Sequence, residues 1–140
     1  MTRHGFQRWY AFVVLSMRDF CRLSPFNLAP DWTAGVFIVL SETLYACVGV
    51  VALSIAADWA DLLHSRQART SCFMAIFLAI WWAHATAESR FVHRFEGEFR
   101  HLPKAPRIAM MVAVPAVAAL SVWASVAVGG AMHAYLNGAR

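Results

Sequence analysis

The chain has 140 residues, of which 60% are hydrophobic and 14% are charged, and its mean hydropathy is +0.52. A soluble domain carries nearer to a quarter charged residues, so this composition excludes an ordinary soluble enzyme domain. The formal net charge is +4. However, no aqueous segment shows a basic stripe with interleaved aromatic residues, so the charge does not indicate nucleic-acid binding. We therefore expect an all-α integral membrane protein, with residues 1–140 forming a single membrane domain.

Residues 1–30 are predicted to form an interfacial segment ahead of the membrane spans. The segment is basic at first, and its apolar run Trp9–Met17 is too short to cross a bilayer. A cleavable mitochondrial transit peptide is also rich in arginine and poor in acids. An amphipathic helix in the membrane interface, with Trp9 and Tyr10 at headgroup level, fits equally well. Of these two interpretations we favour the uncleaved interfacial helix.

Three longer apolar segments, at 33–57, 71–87 and 107–135, are predicted to be transmembrane helices. Four basic residues precede the first span, five lie between the second and third, and three lie elsewhere. This bias predicts that the N-terminus and the loop at 88–107 face the cytoplasm or matrix, with the C-terminus outside. The short connection after the first span predicts that the first two spans are antiparallel neighbours, and Pro115 is expected to kink the third.

The first span contains one deeply placed acid, Glu42, which follows Ser41. Gly35, Glu42, Gly49 and Ala56 are spaced by sevens, and this seam of small residues directs Glu42 toward other helices. An ionisable residue inside a membrane is a candidate for function. Three interpretations remain open: a protonated carboxyl bonded to a neighbouring helix, a role near a quinone or proton path, and contact with another subunit.

The second span combines a ridge of small side chains with a histidine. His84 lies about one turn inside the predicted membrane edge, where an imidazole must be paired, ligating or facing protein. It is therefore either a metal-ligand candidate or a hydrogen-bonding partner of a backbone carbonyl or of Glu42. The ridge recurs at every fourth residue and should let another helix approach closely: Ser71, Ala75, Ala79, Ala83 and Ala87.

The remaining reactive side chains show no arrangement typical of catalysis. Cys21, Cys47 and Cys72 have neither metal-binding nor redox spacing, so we expect free thiols. His93 and His101 are expected at the surface. His133 lies near the outer end of the third span, too far from His84 to share one iron with it. The sequence contains no phosphate-binding glycine loop or zinc-ligand spacing, so the chain alone is not expected to be a hydrolase or kinase.

The assembled residues resemble one family, the larger cytochrome b membrane-anchor subunit of succinate dehydrogenase (complex II). Leu23-Ser24-Pro25 matches the last part of the family's R-P-x-S-P stretch, and Trp32 follows at a similar spacing. His84 and Arg90 reproduce the spacing between the family's haem-ligating histidine and the next arginine. The resemblance covers roughly residues 21–128.

The chain would be a divergent member of that family. The quinone-contacting Ser and Arg of the family's first span align with Val39 and Thr43, which cannot do that work. Other family positions are also replaced, with the arginine of the first motif displaced to Arg22 and with Glu88, Phe91 and Phe95 in place of glycine, histidine and aspartate.

The resemblance implies a membrane-anchor subunit of succinate:ubiquinone oxidoreductase, not catalytic alone. His84 would be an axial ligand of haem b, Arg90 would pair with a haem propionate, and Ser41 and Glu42 would lie near ubiquinone. The implied partners are the iron–sulfur subunit and a second membrane-anchor subunit. The implied location is the mitochondrial inner membrane or a bacterial plasma membrane.

Two other functions fit the same three spans. One is a cofactor-free accessory structural subunit of a larger respiratory membrane complex, which the small-residue ridges favour equally well. The other is a pore-forming oligomer, in which the polar stripe of the third span lines a channel.

Overall fold

The computed structural model describes residues 2–24, 29–57 and 65–138. This part of the chain is all-helical, as predicted, and three of its helical segments are long and apolar enough to cross a membrane. In chain order the helices are α1 (Arg3–Arg22), α2 (Pro30–Ala56), α3 (Arg66–Ala87), a π-helix (Glu88–Val92), α4 (His93–Arg100) and α5 (Lys104–Gly138).

Local sequence explains where the helices begin. The Thr2 hydroxyl accepts a hydrogen bond from the Gly5 N–H at 3.2 Å, and the Ser65 hydroxyl accepts one from Ala68 at the same distance. These N-caps satisfy backbone donors that the first turn leaves free. Pro30 stands at the start of α2, where its missing N–H costs nothing.

The three predicted spans are helical, but their limits differ from the prediction. The expectation of an inner loop at 88–107 is wrong, because the π-helix and α4 continue α3 as far as Arg100. The cause is the amphipathic pattern of α4, which is hard to recognise among its many charged residues. Phe95 and Phe99 lie one turn apart and are both buried, while the charged residues around them face out. Pro115 lies inside α5. Of the predicted outer connection at 58–70, residues 58–64 fall outside the described residues, and residues 66–70 form the start of α3 instead.

Helix α1 contributes half of the residues of the buried apolar core. It packs against α2, the π-helix, α4 and α5, and we call this region the α1 end of the bundle. The amphipathic pattern predicted near the N-terminus is therefore used to pack against the chain's own helices. The core consists of Ala11, Val14, Leu15, Met17, Cys21, Ala34, Ile38, Val92, Phe95 and Phe99.

Ion pairs tie the last turns of α1 to each of the three long helical segments. Arg18, which is buried, donates to Glu88 at the start of the π-helix, and its Nε lies 3.8 Å from Asp31 of α2. Asp19 accepts from the Nε of Arg107 in α5 at 3.0 Å. These contacts fix the orientation of α1 more specifically than apolar packing alone would.

The outward faces of the long helices are apolar. Leu53, Trp82 and Val126 are 68%, 72% and 72% exposed, and they lie on three different helices. Exposed apolar surface on this scale is not typical of a soluble monomer. The small-residue ridge of α3 also stays largely uncovered within this chain, since Ser71, Ala75, Ala79 and Ala83 are all exposed. Cys21, Cys47 and Cys72 all lie within the described residues and form no disulfide.

Candidate functional site around His84

His84 is enclosed where α1, α2 and α3 meet. Its side chain lies near the end of α3, and the residue is 6% exposed. The Nδ1 atom shares a 2.7 Å hydrogen bond with the Tyr10 hydroxyl. On the other side of the ring, a Cβ atom added at Gly35 would stand 3.3 Å from Nε2. Gly35 therefore lets the backbone of α2 approach the imidazole directly.

The Nε2 atom of His84 has no hydrogen-bond partner among the described residues. Its nearest charged neighbour is Glu88, whose Oε2 lies at 3.6 Å, beyond normal hydrogen-bond length. Glu88 is held in turn by Arg18. A buried polar atom without a partner costs on the order of 1–3 kcal/mol, so this nitrogen calls for an explanation.

The π-helix begins immediately beyond this point. The widened turn runs from Glu88 to Val92, and π-turns within α-helices are frequent at functional sites. Glu88 opens that turn, one helical turn after His84, and the turn's last residue, Val92, is fully buried in the core.

The environment of Tyr10 keeps its phenol neutral. Burial raises the pKa of Tyr10, and the nearby carboxylates of Glu42 and Glu88 raise it further. The hydroxyl therefore keeps its proton at neutral pH and stays available as a hydrogen-bond donor. Tyr10 also contacts Phe91 edge-on, with ring centroids 6.2 Å apart.

A cleft of about 420 Å³ opens between α1, α2 and α5, close to this group. Two side chains that the sequence singled out, Ser41 and Glu42, both line it. Tyr45 adds a third polar group, whose hydroxyl donates to the Val117 carbonyl at 2.6 Å. The rest of the lining is apolar: Trp9, Phe12, Val13, Met17, Ile38, Met110, Ala113, Val114, Val117 and Ala118. A second apolar cleft of about 450 Å³ shares Met17, Ser41 and Ala118 with the first.

The arrangement around His84 does not fit a haem. An iron ligand must face open space for the metal and the flat macrocycle around it. Here Nδ1 is engaged by Tyr10, while Nε2 is shut in by the α2 backbone at Gly35. Among the described residues, no group of three or more His, Cys, Asp or Glu side chains is placed to hold a metal ion. We therefore derive no step through a haem.

Arg90, predicted to pair with a haem propionate, is exposed on the π-helix while His84 is buried. The arginine that the fold brings to this site is Arg18, through its contact with Glu88. His133 is exposed in α5 and lies 3.0 Å from the Asn137 side chain.

Sequence reasoning missed three members of the site. Glu88 could have been found, because it lies four residues after His84 and so on the same helix face. Arg18 gave a weaker signal, as an arginine directly after the apolar run that ends at Met17. Tyr10 was assigned to the membrane headgroups, and only the packing of α1 against α3 reveals its bond to His84.

Comparison of the chain with family models, with curated proteins and with solved structures finds no match. The resemblance to the succinate dehydrogenase anchor subunit therefore stays a prediction that depends on the motifs quoted above.

Proposed function

We propose that the chain is an integral membrane subunit of a respiratory electron-transfer complex and that it binds a lipid-soluble quinone in the cleft between α1, α2 and α5. The observation that carries this proposal is the cleft itself, which contains both Ser41 and Glu42. In the succinate dehydrogenase resemblance these two residues are the ones expected near ubiquinone.

The cleft has the properties of a site for an apolar molecule with a polar head. Ligand sites typically measure roughly 300–1,000 Å³ and combine an apolar lining with a few polar groups. A quinone ring presents two carbonyl oxygens that accept hydrogen bonds, and its isoprenoid tail needs an apolar path. A protonated Glu42 would supply a donor for the head, and the Ser41 hydroxyl, which donates to the Ile38 carbonyl, would be a polar neighbour. Trp9, Phe12 and Val13 of α1 would cover the apolar part.

Membrane insertion is part of the same proposal. Three long apolar helical segments with apolar outward faces support it. The excess of basic residues at the α1 end supports placing that end on the cytoplasmic or matrix side, with α1 close to the interface. The uncovered ridge on α3 gives a second membrane subunit a smooth surface to approach.

The enclosed His84 favours a second candidate function. Its Nδ1 is hydrogen-bonded to Tyr10 and its Nε2 is enclosed by α2 at Gly35, so neither nitrogen is open to iron. This arrangement favours a structural role over haem binding. The alternative is therefore an accessory structural subunit of a larger respiratory membrane complex, without a cofactor of its own.

The two candidates separate when the complex is purified from its own membrane in mild detergent. Quinone binding predicts that extracted lipid contains quinone in stoichiometric amount, together with co-purifying flavoprotein and iron–sulfur chains. Glu42→Leu should lower quinone retention about ten-fold, as expected for losing one hydrogen bond from the carboxylic acid. Ser54→Ala, at a buried site in the other half of α2, is the matched control and should retain quinone fully.

An intact complex without quinone, or with retention unaffected by Glu42→Leu, would favour the accessory subunit. A dithionite-reduced absorption spectrum of the same sample tests the haem prediction directly. A b-type band that disappears in His84→Ala would mean that α2 moves away from Nε2 and that this nitrogen binds iron in the assembly.

A further inference from the structure

We propose that Glu88, His84 and Tyr10 form a proton-transfer path that connects the aqueous α1 end of the bundle with Glu42 in the cleft. This rests on the proposed function in one respect: reduction of a quinone consumes protons, and a path ending at Glu42 would deliver them where the ring binds. The path itself is argued from the geometry of this chain alone.

The entrance is Glu88, whose side chain is one third exposed and therefore reaches water. Its Oε2 lies 3.6 Å from His84 Nε2, a gap that a small side-chain movement closes. Arg18 fixes the other oxygen of the same carboxylate, so the group is positioned with one oxygen held and the other directed at the imidazole.

The second step already has hydrogen-bond geometry. His84 Nδ1 and the Tyr10 hydroxyl are 2.7 Å apart, a length at which a proton can pass between them. Tyr10 lies in α1 beside Trp9, which lines the cleft together with Glu42. Glu42 lies on α2, which packs against α1, and its charge acts on the Tyr10 phenol.

One passage moves one proton from Glu88 to Glu42 and leaves the imidazole and the phenol neutral. Protonated Glu88 gives its proton to Nε2, Nδ1 gives its proton to the Tyr10 oxygen, and the original Tyr10 proton moves to the Glu42 carboxylate. The products are ionised Glu88, neutral imidazole, neutral phenol and protonated Glu42. A change of imidazole tautomer and rotation of the Tyr10 hydroxyl restore the starting state, and Glu88 is reprotonated from water.

This path explains the unpartnered nitrogen of His84. A permanent hydrogen bond to Nε2 would make the folded protein more stable, but it would hold the imidazole in one tautomer. The ionisable groups that act on the ring are Tyr10 and Arg18 from α1 and Glu88 from its own helix, while Glu42 from α2 acts on Tyr10. Three of these four form the path with His84, and the fourth, Arg18, positions its entrance.

The test measures hydrogen–deuterium exchange at the Glu42 carboxyl, by infrared spectroscopy of the protein in lipid nanodiscs without quinone. Glu42→Gln identifies the carboxylic-acid band. His84→Phe and Tyr10→Phe should each slow exchange by on the order of 100-fold, the size of a typical general acid–base contribution. His93→Phe is the matched control, because His93 lies on the adjoining α4 with a side chain that is 67% exposed, and it should exchange as the unmodified protein does.

A purely structural role for His84 is distinguished by chemical rescue. Imidazole added to His84→Gly should restore exchange if the ring carries protons, and should leave the rate unchanged if the ring only fills space. Wild-type exchange rates in folded Tyr10→Phe, or a Glu42 that never takes up a proton, would overturn the path. The exchange test needs no quinone. If the path works but the purified complex retains no quinone, only the proposed function is contradicted.

Discussion

The two ends of this helical bundle are held together in different ways. At the α1 end, apolar side chains from four helical segments form a buried core, and ion pairs from Arg18 and Asp19 cross between helices. Farther along α2 and α5, buried or half-buried hydroxyl groups bond to carbonyls of their own helix. Thr43 donates to the Val39 carbonyl, Ser121 donates to the Ala118 carbonyl, and Ser125 donates to the Ser121 carbonyl.

The proposed membrane insertion would account for this difference, because the two ends would then meet different solvents. In lipid there is little hydrophobic drive between helices, so helices associate through close packing and polar contacts. At the α1 end, the apolar face of α1 is buried against α2, the π-helix, α4 and α5. This burial holds together helices that would have little hydrophobic attraction for one another in lipid. We infer that α1 supplies much of the specificity with which α2, α3 and α5 meet, and that the site around His84 depends on it.

The largest expected effect comes from removing the ion pair between Arg18 of α1 and Glu88 of the π-helix. Arg18→Met keeps the length of the side chain but leaves Glu88 without its cation. Removing one partner of a fully buried pair costs about 3–5 kcal/mol, and since Glu88 is one third exposed we expect about 2 kcal/mol. The measurement is the free energy of unfolding in mixed micelles, followed by circular dichroism.

Arg8→Met is the control for this comparison. Arg8 pairs with Glu98 at 2.8 Å, but both side chains are about half exposed. Exposed pairs contribute less than about 1 kcal/mol, so the loss should be small and should vanish at high salt. Equal losses for the two variants would mean that the buried contact of Arg18 does not hold α1 in place.

The α1 end is also where sequence reasoning succeeded least. The long apolar runs predicted the three spans, because about 20 apolar residues have few other stable solutions. The amphipathic α4 was not predicted, because its many charged residues indicated a loop and the spacing of Phe95 and Phe99 was the only sign of a helix. Tyr10 and Arg18 could not be assigned to His84 from sequence, since more than 65 residues separate α1 from it and only tertiary packing brings them together.

A smaller effect concerns alkaline pH and again contrasts α1 with the rest. Because the pKa of Tyr10 is raised in the folded state, folding opposes ionisation of the phenol. The contribution to stability is full below the unfolded pKa of about 10 and is lost as the pH rises above it. We expect the unmodified protein to lose stability more steeply above about pH 10 than Tyr10→Phe does.

The measurement is the unfolding free energy of both proteins between neutral and strongly alkaline pH. At neutral pH, Tyr10→Phe should be less stable by about 1 kcal/mol, because one hydrogen bond to His84 is lost. Parallel curves through the alkaline range would mean that Tyr10 ionises as easily in the folded protein as in the unfolded one. That result would contradict the raised pKa of Tyr10 and the burial that causes it.

The smallest effect compares two glycines of α2, one at each end of the bundle. Alanine is preferred over glycine within a helix by roughly 0.5–1 kcal/mol. A Cβ at Gly49 meets nothing within 4 Å, so Gly49→Ala should raise the unfolding free energy by about that amount. A Cβ at Gly35 would stand 3.3 Å from His84 Nε2, and the ring has little freedom to move between Tyr10 and Glu88. Gly35→Ala should therefore lose this gain and end at or below the stability of the unmodified protein. Equal stabilisation by both substitutions would show that α2 does not approach His84 closely, and the enclosure that argues against a haem ligand would then be lost as well.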